Sequence, residues 1–169
     1  MRLKRIHAVC LMVFGLFSGC TYYSFSGASI SESLRTIAIS GFEDQSNSGQ
    51  PALGEVLTQE LINKFTRQTR LRLSQDEYAA DVVLRGQIRT YSNLPTAVSG
   101  TEQVTKNRVT IEITATYINQ QEQKEVFQRS FSQSAEYDPN STGKSEYDTA
   151  KEALEKIAND VFTAATSDW

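Results

Sequence analysis

Histidine occurs once in the 169 residues, at His7, and cysteine twice, at Cys10 and Cys20. Beyond position 20 the chain has neither. That excludes a Ser-His-Asp triad, a Cys-His pair and a Cys/His zinc site from the rest of the chain. It also excludes a disulfide within any product that begins at Cys20. No Walker A or Rossmann glycine pattern is present. Carboxylate-based hydrolysis is the chemistry left open. Its material would be an acidic pair such as Glu43 and Asp44, which reads as a solvated loop. No metal, no cofactor and no enzymatic activity are expected. Proline is scarce, with three in all, at Pro51, Pro95 and Pro139, each between apolar stretches. No apolar run reaches the roughly 20 residues that a membrane-spanning helix requires.

The short apolar run that does exist is at the start. Arg2, Lys4 and Arg5 precede a nearly unbroken apolar stretch from Ile6 to Phe17, followed by Ser18-Gly19-Cys20. A positive start, about a dozen apolar residues and small residues at the cut make a secretory signal. A cysteine just after the cut is the substrate of lipoprotein processing. Phe17-Ser18-Gly19-Cys20 is similar to a bacterial lipobox, with Phe17 where that pattern has Leu. The expectation is a signal peptide over 1–19, acylation of Cys20, and a lipid-anchored protein facing the periplasm. Several acyl chains on one cysteine make a firm tether, where one alone binds weakly. Thr21, which is not an Asp, favours the outer membrane. Removing the first 19 residues removes three basic side chains and no acidic one. Of the 17 basic and 20 acidic residues, 14 and 20 remain, a net charge of −6. That is no polybasic nucleic-acid binder.

From Thr21 to Ser33 the chain is rich in Ser, Gly and Tyr, and reads as a tether over 20–33 leading into one domain over 34–169. Tyr22, Tyr23 and Phe25 are aromatics free to pack on a membrane, on a barrel or on the domain itself. Thr36 to Phe42 alternates and is rich in β-branched residues, as a strand does. After Pro51, which suits a first helical turn, Leu53, Leu57, Leu61 and Phe65 recur every four residues. They mark an amphipathic helix ending near Thr69. Leu71 and Leu73 form a short apolar patch after it. Ala80 to Tyr91 reads as a strand with Val82, Leu84, Gly86 and Ile88 on one face and Arg85, Gln87, Arg89 and Tyr91 on the other. Asn93 to Gln103 reads as a loop. Arg108 to Ile118 alternates most clearly, Asn119 to Gln123 fits a hairpin turn, and Lys124 to Ser132 makes the last strand. Ser145-Glu146-Tyr147-Asp148 resembles a capping box, ahead of a helix striped by Tyr147, Ala150, Leu154, Ile157 and Val161. The order β-α-β-β-β-α predicts an α+β two-layer sandwich, a four-stranded mixed or antiparallel sheet with both helices on one face. The other face, with Arg85, Arg89, Arg108 and many Thr, is left open.

The segment Cys20-Thr21-Tyr22-Tyr23-Ser24-Phe25-Ser26-Gly27-Ala28-Ser29-Ile30 resembles the mature start of the LPS-assembly lipoprotein family, LptE, in its Bacteroidota form. So do Asn107-Arg108-Val109-Thr110-Ile111 with Thr116-Tyr117-Ile118-Asn119, and Phe127-Gln128-Arg129-Ser130-Phe131-Ser132 with Tyr137-Asp138. The resemblance implies a non-enzymatic outer-membrane lipoprotein. Such a protein partners and plugs a large β-barrel of the LptD kind, and helps deliver lipopolysaccharide to the cell surface. A polar sheet face suits the polar interior of a barrel. An anionic glycolipid needs Lys or Arg for its phosphates, and Lys106, Arg108 and Lys144, at loop or strand ends, are the residues nominated. Two non-enzymatic rivals stand beside this reading. Thr36 to Phe42 and Ala80-Asp81-Val82-Val83-Leu84-Arg85-Gly86 also resemble lipoproteins of curli secretion and of peptidoglycan-synthase activation. Against a pore, the outward faces of these strands are Thr, Glu and Arg, which lipid does not tolerate. The second rival is a surface lipoprotein with no partner.

Overall fold

The computed structural model describes residues 30–50, 52–96 and 106–167. Cys20, the signal segment and most of the tether lie outside them. Six strands and two helices follow in order: β1 (Thr36–Ile39), β2 (Glu43–Asp44), α1 (Leu53–Gln68), β3 (Arg72–Leu73), β4 (Val82–Thr96), β5 (Lys106–Asn119), β6 (Lys124–Tyr137) and α2 (Glu146–Ser167). The fold is the expected α+β sandwich. One sheet runs β3-β1-β4-β5-β6, with β2 also paired to β4. The sheet is mixed, because β1 is parallel to β3 and β4 while β4, β5 and β6 form an antiparallel meander. It has two strands more than the sequence suggested, β2 and β3, each two residues long. A two-residue strand carries no periodicity to read.

Both helices cover the same face. Leu53, Leu57, Leu61 and Phe65 of α1 are fully buried, as are Ala150, Leu154, Ile157 and Val161 of α2. They meet Ile37, Leu84, Ile88, Ile111, Ile113 and Tyr117 from the sheet in one core. Phe65 lies between the layers, stacked on Tyr117 (6.1 Å) and edge-on to Phe162 of α2 (5.2 Å). Among the described residues no helix is long and apolar enough to cross a membrane.

The helix starts differ. At α2, Ser145 Oγ accepts from the Asp148 amide (3.1 Å) and the Asp148 carboxylate accepts from the Ser145 amide (3.3 Å). This is the reciprocal cap expected from the sequence, with Asp standing where Glu is more usual. α1 begins at Leu53 after Ala52, which is left-handed (φ 58°) and gives no side-chain cap; Pro51 lies outside the described residues. What fixes this start is packing. The backbone of Phe42 lies so near Gly54 that a Cβ there would fall 1.9 Å from the Phe42 carbonyl oxygen. Thr58 Oγ1 ties the two by accepting from the Phe42 amide (2.9 Å) and donating to the Gly54 carbonyl (2.7 Å).

Candidate functional site

The face of the sheet away from the helices is a ladder of polar side chains. Successive strand residues point to opposite faces, so burial of Ile111, Ile113 and Ala115 in β5 turns Thr110, Glu112, Thr114 and Thr116 outward. Pairing sets them in rows: Arg85 beside Thr116 beside Gln128, and Gln87 beside Thr114 beside Ser130. Arg85, Gln87, Thr114, Thr116 and Gln128 of these rows, with Gly86, line a shallow depression of about 230 Å³. Gln128 Nε2 donates to Thr116 Oγ1 across it (3.4 Å). Such a surface offers donors and acceptors at strand spacing.

One residue expected on this face is not there. β4 carries an extra residue between Ile88 and Thr90. A bulge shifts every later side chain to the opposite face. Tyr91 therefore pairs with Ile111 on the helix side and packs against the core, not beside Arg85 and Gln87. Arg89, at the bulge, stays exposed and reaches Gln45 Oε1 (3.4 Å). The strand also continues through the stretch that reads as a loop, with Pro95 paired to Asn107. Proline is tolerated in an edge strand, where no ladder bond needs its amide.

The bulge creates a polar knot under the start of α2, which the sequence did not disclose. Tyr91 donates to Glu146 Oε1 (2.7 Å), and Tyr137 lies 3.5 Å from Glu146 Oε2. Asn93 and Asn107 donate to the Tyr137 hydroxyl (2.9 and 3.4 Å). Burial pushes the Tyr91 hydroxyl pKa up, and the Glu146 carboxylate that it faces pushes it further.

The three nominated cations gather at this same end. Lys106 is exposed at the first residue of β5, and its carbonyl accepts from Thr96 Oγ1 (2.9 Å). Arg108 lies two residues on, on the open face, and donates through Nε and Nη2 to Glu136 Oε1 (3.0 and 2.6 Å). Lys144 reaches the Glu136 carbonyl (3.5 Å) and pairs with Glu152 of α2. Lys144 and Lys156 together hold the Glu152 carboxyl below the usual carboxylate range. Leu94 pairs with Arg108 and is 63% exposed, so an apolar side chain stands among the cations.

The acidic pair Glu43 and Asp44 does not form a reactive dyad. As neighbours in β2 they point to opposite faces. Asp44 instead organises its own loop, accepting from the Ser46 amide (2.9 Å) and from the Ser46 and Ser48 hydroxyls (2.5 and 2.9 Å).

The fold is shared by solved structures of low sequence identity. A hypothetical protein from Chlamydia trachomatis superposes with a TM-score of 0.54 at 11% identity, covering 78% of this chain and 98% of that one. A protein from Xanthomonas campestris gives 0.54 at 12%, covering 82% and 90%. A minor lipoprotein from Acinetobacter baumannii gives 0.50 at 15%, covering 79% and 91%. At such identities the likeness is one of fold alone. No curated protein matches the chain. The model of the LptE family, lipopolysaccharide-assembly, matches residues 34–165, from two residues before β1 almost to the end of α2. The chain therefore belongs to the LptE lipopolysaccharide-assembly family.

Proposed function

We propose that this protein is a lipid-anchored, non-enzymatic assembly factor of the outer membrane, held there through Cys20 and facing the periplasm. It partners and plugs a large β-barrel of the LptD kind that delivers lipopolysaccharide to the cell surface. The observation that carries this reading is the family match over residues 34–165. The polar ladder of β4, β5 and β6 supports it. A barrel interior is lined by polar side chains, and a sheet presenting Arg85, Gln87, Thr114, Gln128 and Ser130 meets such a wall with hydrogen bonds.

Lys106, Arg108 and Lys144 are the residues through which it would meet the anionic groups of the glycolipid. Arg108 and Lys144 already face carboxylates, Glu136 and Glu152. Exposed ion pairs of this kind contribute only about 0–1 kcal/mol. Exchanging a carboxylate for a phosphate is therefore cheap, and a guanidinium fits phosphate well.

The test is affinity purification of the tagged protein from detergent-solubilised outer membrane, with mass spectrometry of what is retained. A large β-barrel recovered in near-equal amount is the expected result. A peptidoglycan synthase, a ring of identical subunits or an unaccompanied monomer would overturn the partnership.

A further inference from the structure

β6 is the last strand of the sheet, and its outer edge is treated differently along its length. Towards its end, Lys156 Nζ donates to the Ser134 carbonyl (3.1 Å) and Lys144 Nζ to the Glu136 carbonyl (3.5 Å). Lysines placed on an edge in this way block the addition of another strand. Both ammoniums are held in place by Glu152. Backbone groups alternate in direction along a strand. Ser134 and Glu136 face outward, so Gln128, Ser130 and Ser132 do too, and among the described residues no side chain reaches their carbonyls. Beside this open stretch, on the helix side, lie Phe127 and Phe131, edge to face at 5.8 Å, with the Arg129 guanidinium 5.0 and 5.5 Å from their ring centres.

We propose that this open edge is the docking site for the chain's own segment 21–29, which adds as an antiparallel strand and fixes where Cys20 leaves the domain. Four observations point to this occupant. The described chain begins at Ile30, which is buried in the core. Three residues later, the Ser33 carbonyl accepts from Gln121, in the turn that opens β6 (3.4 Å). The preceding segment therefore starts at the foot of β6. Nine residues span about 30 Å when extended, the length of β6 from Lys124 to Ser132. The side chains also alternate in the right sense. With Tyr23 opposite Phe131 and Phe25 opposite Arg129, the aromatics meet the Phe127–Phe131 patch. Ser24 and Ser26 then lie opposite Ser130 and Gln128 on the polar face. In this register Cys20 falls beside Ser134, where the lysine caps begin and pairing must stop. On the lipid-anchor reading above, the acyl chains then emerge beside Lys144 and Lys156, and the Lys106–Arg108–Lys144 end is turned to the membrane surface.

Amide hydrogen exchange tests the docking on the chain from residue 20 carrying Cys20→Ser, so that no lipid is required. Amides of Gln128, Ser130 and Ser132 are expected to exchange at least about ten-fold more slowly than in the same chain with Tyr23→Asp and Phe25→Asp, which places charges against the patch. Unchanged protection at Ile111 and Ile113 verifies that both chains are folded. Equal, rapid exchange at the three edge amides in both chains overturns the proposal. So does protection that grows with protein concentration, since that would mean a second copy on the edge. Orientation is read separately on acylated protein in vesicles doped with a paramagnetic lipid. Broadening at Gly143 and Lys144 above that at Gln121 and Glu122 is expected, and the reverse pattern overturns it. Failure of Cys20 to be acylated would sink the anchor reading and leave the exchange result standing.

Discussion

The Tyr91 hydroxyl donates to Glu146 at 2.7 Å and so ties the strand just past a bulge to the first residue of α2. This bond exists only because the extra residue at Arg89 turns Tyr91 inward. Tyr91→Phe keeps the ring in the core and removes the bond. A hydrogen bond to a charged group contributes about 1.5–3 kcal/mol, and partial exposure of the pair puts the expected loss near the lower end. Urea denaturation of the two proteins measures it. A midpoint unchanged or raised by Tyr91→Phe would refute a stabilising role for the knot.

Two glycines sit where backbones touch. Gly54 lies inside α1, where Ala is favoured over Gly by about 1 kcal/mol. The Cβ would, however, meet the Phe42 carbonyl oxygen at 1.9 Å, a backbone atom that cannot turn aside. At Gly86 it would meet the Thr114 carbonyl at 2.2 Å and the Phe42 ring at 2.6 Å. Overpacking typically costs about 1–3 kcal/mol, which outweighs the helix preference. Gly54→Ala and Gly86→Ala are each expected to lower the melting temperature by several degrees. A Gly54→Ala protein that melts higher would show that propensity wins and that the helix does not press on Phe42.

How far the sequence discloses this arrangement depends on the range over which each signal acts. The stripe Leu53, Leu57, Leu61 and Phe65 and the Ser145–Asp148 cap are local, and the structure holds both as expected. Alternation in β5 correctly divides Ile111 and Ile113 from Thr110 and Thr114. The bulge at Arg89 is set by pairing with β5 and leaves no mark in the residues themselves, so simple alternation puts Tyr91 on the wrong face. Asn93 and Pro95 are turn-formers, and only an edge position lets them extend β4. Lys106 and Arg108 are neighbours in the chain, whereas Lys144 joins them through the register that sets Asn107 against Tyr137. That register cannot be read from one strand alone.

Asp81 predicts the acid limb of stability. Its Oδ2 accepts from the Arg35 amide (2.7 Å), the Thr36 amide (2.8 Å) and the Thr36 hydroxyl (3.0 Å), and its Oδ1 from Gln121 (2.8 Å). Burial pushes the carboxyl pKa up, but these bonds together outweigh it and hold the group below the ordinary Asp value of 3.8. With the folded pKa depressed, the stabilisation is fully present above that ordinary value. It is lost as pH falls through the lower, folded one. Asp81→Ala is expected to cost about 1–2 kcal/mol at pH 7, a modest figure because the site is partly solvated. The deficit should narrow below pH 3.8, where the native protein loses the same interaction. Denaturation at pH 7 and pH 3 compares the two, and a deficit that widens in acid would contradict the assignment.

The cation cluster predicts a separation of binding from stability. Arg108 and Glu136 are 52% and 36% exposed, and Lys144 and Glu152 are 34% and 42% exposed. Ion pairs so open to water contribute about 0–1 kcal/mol each, so Lys106→Ala, Arg108→Ala and Lys144→Ala together should unfold within about 1–2 kcal/mol of the native protein. At an anionic lipid surface each cation contributes about 1 kcal/mol, roughly five-fold in affinity. The triple variant is therefore expected to bind lipopolysaccharide-bearing vesicles at least about 50-fold more weakly. The native protein's affinity should also fall as salt is raised, because exposed charges are screened over about 10 Å at 0.1 M. Vesicle flotation across a salt series measures both. Equal flotation of the native and triple-variant proteins at every salt concentration would remove Lys106, Arg108 and Lys144 from the glycolipid contact.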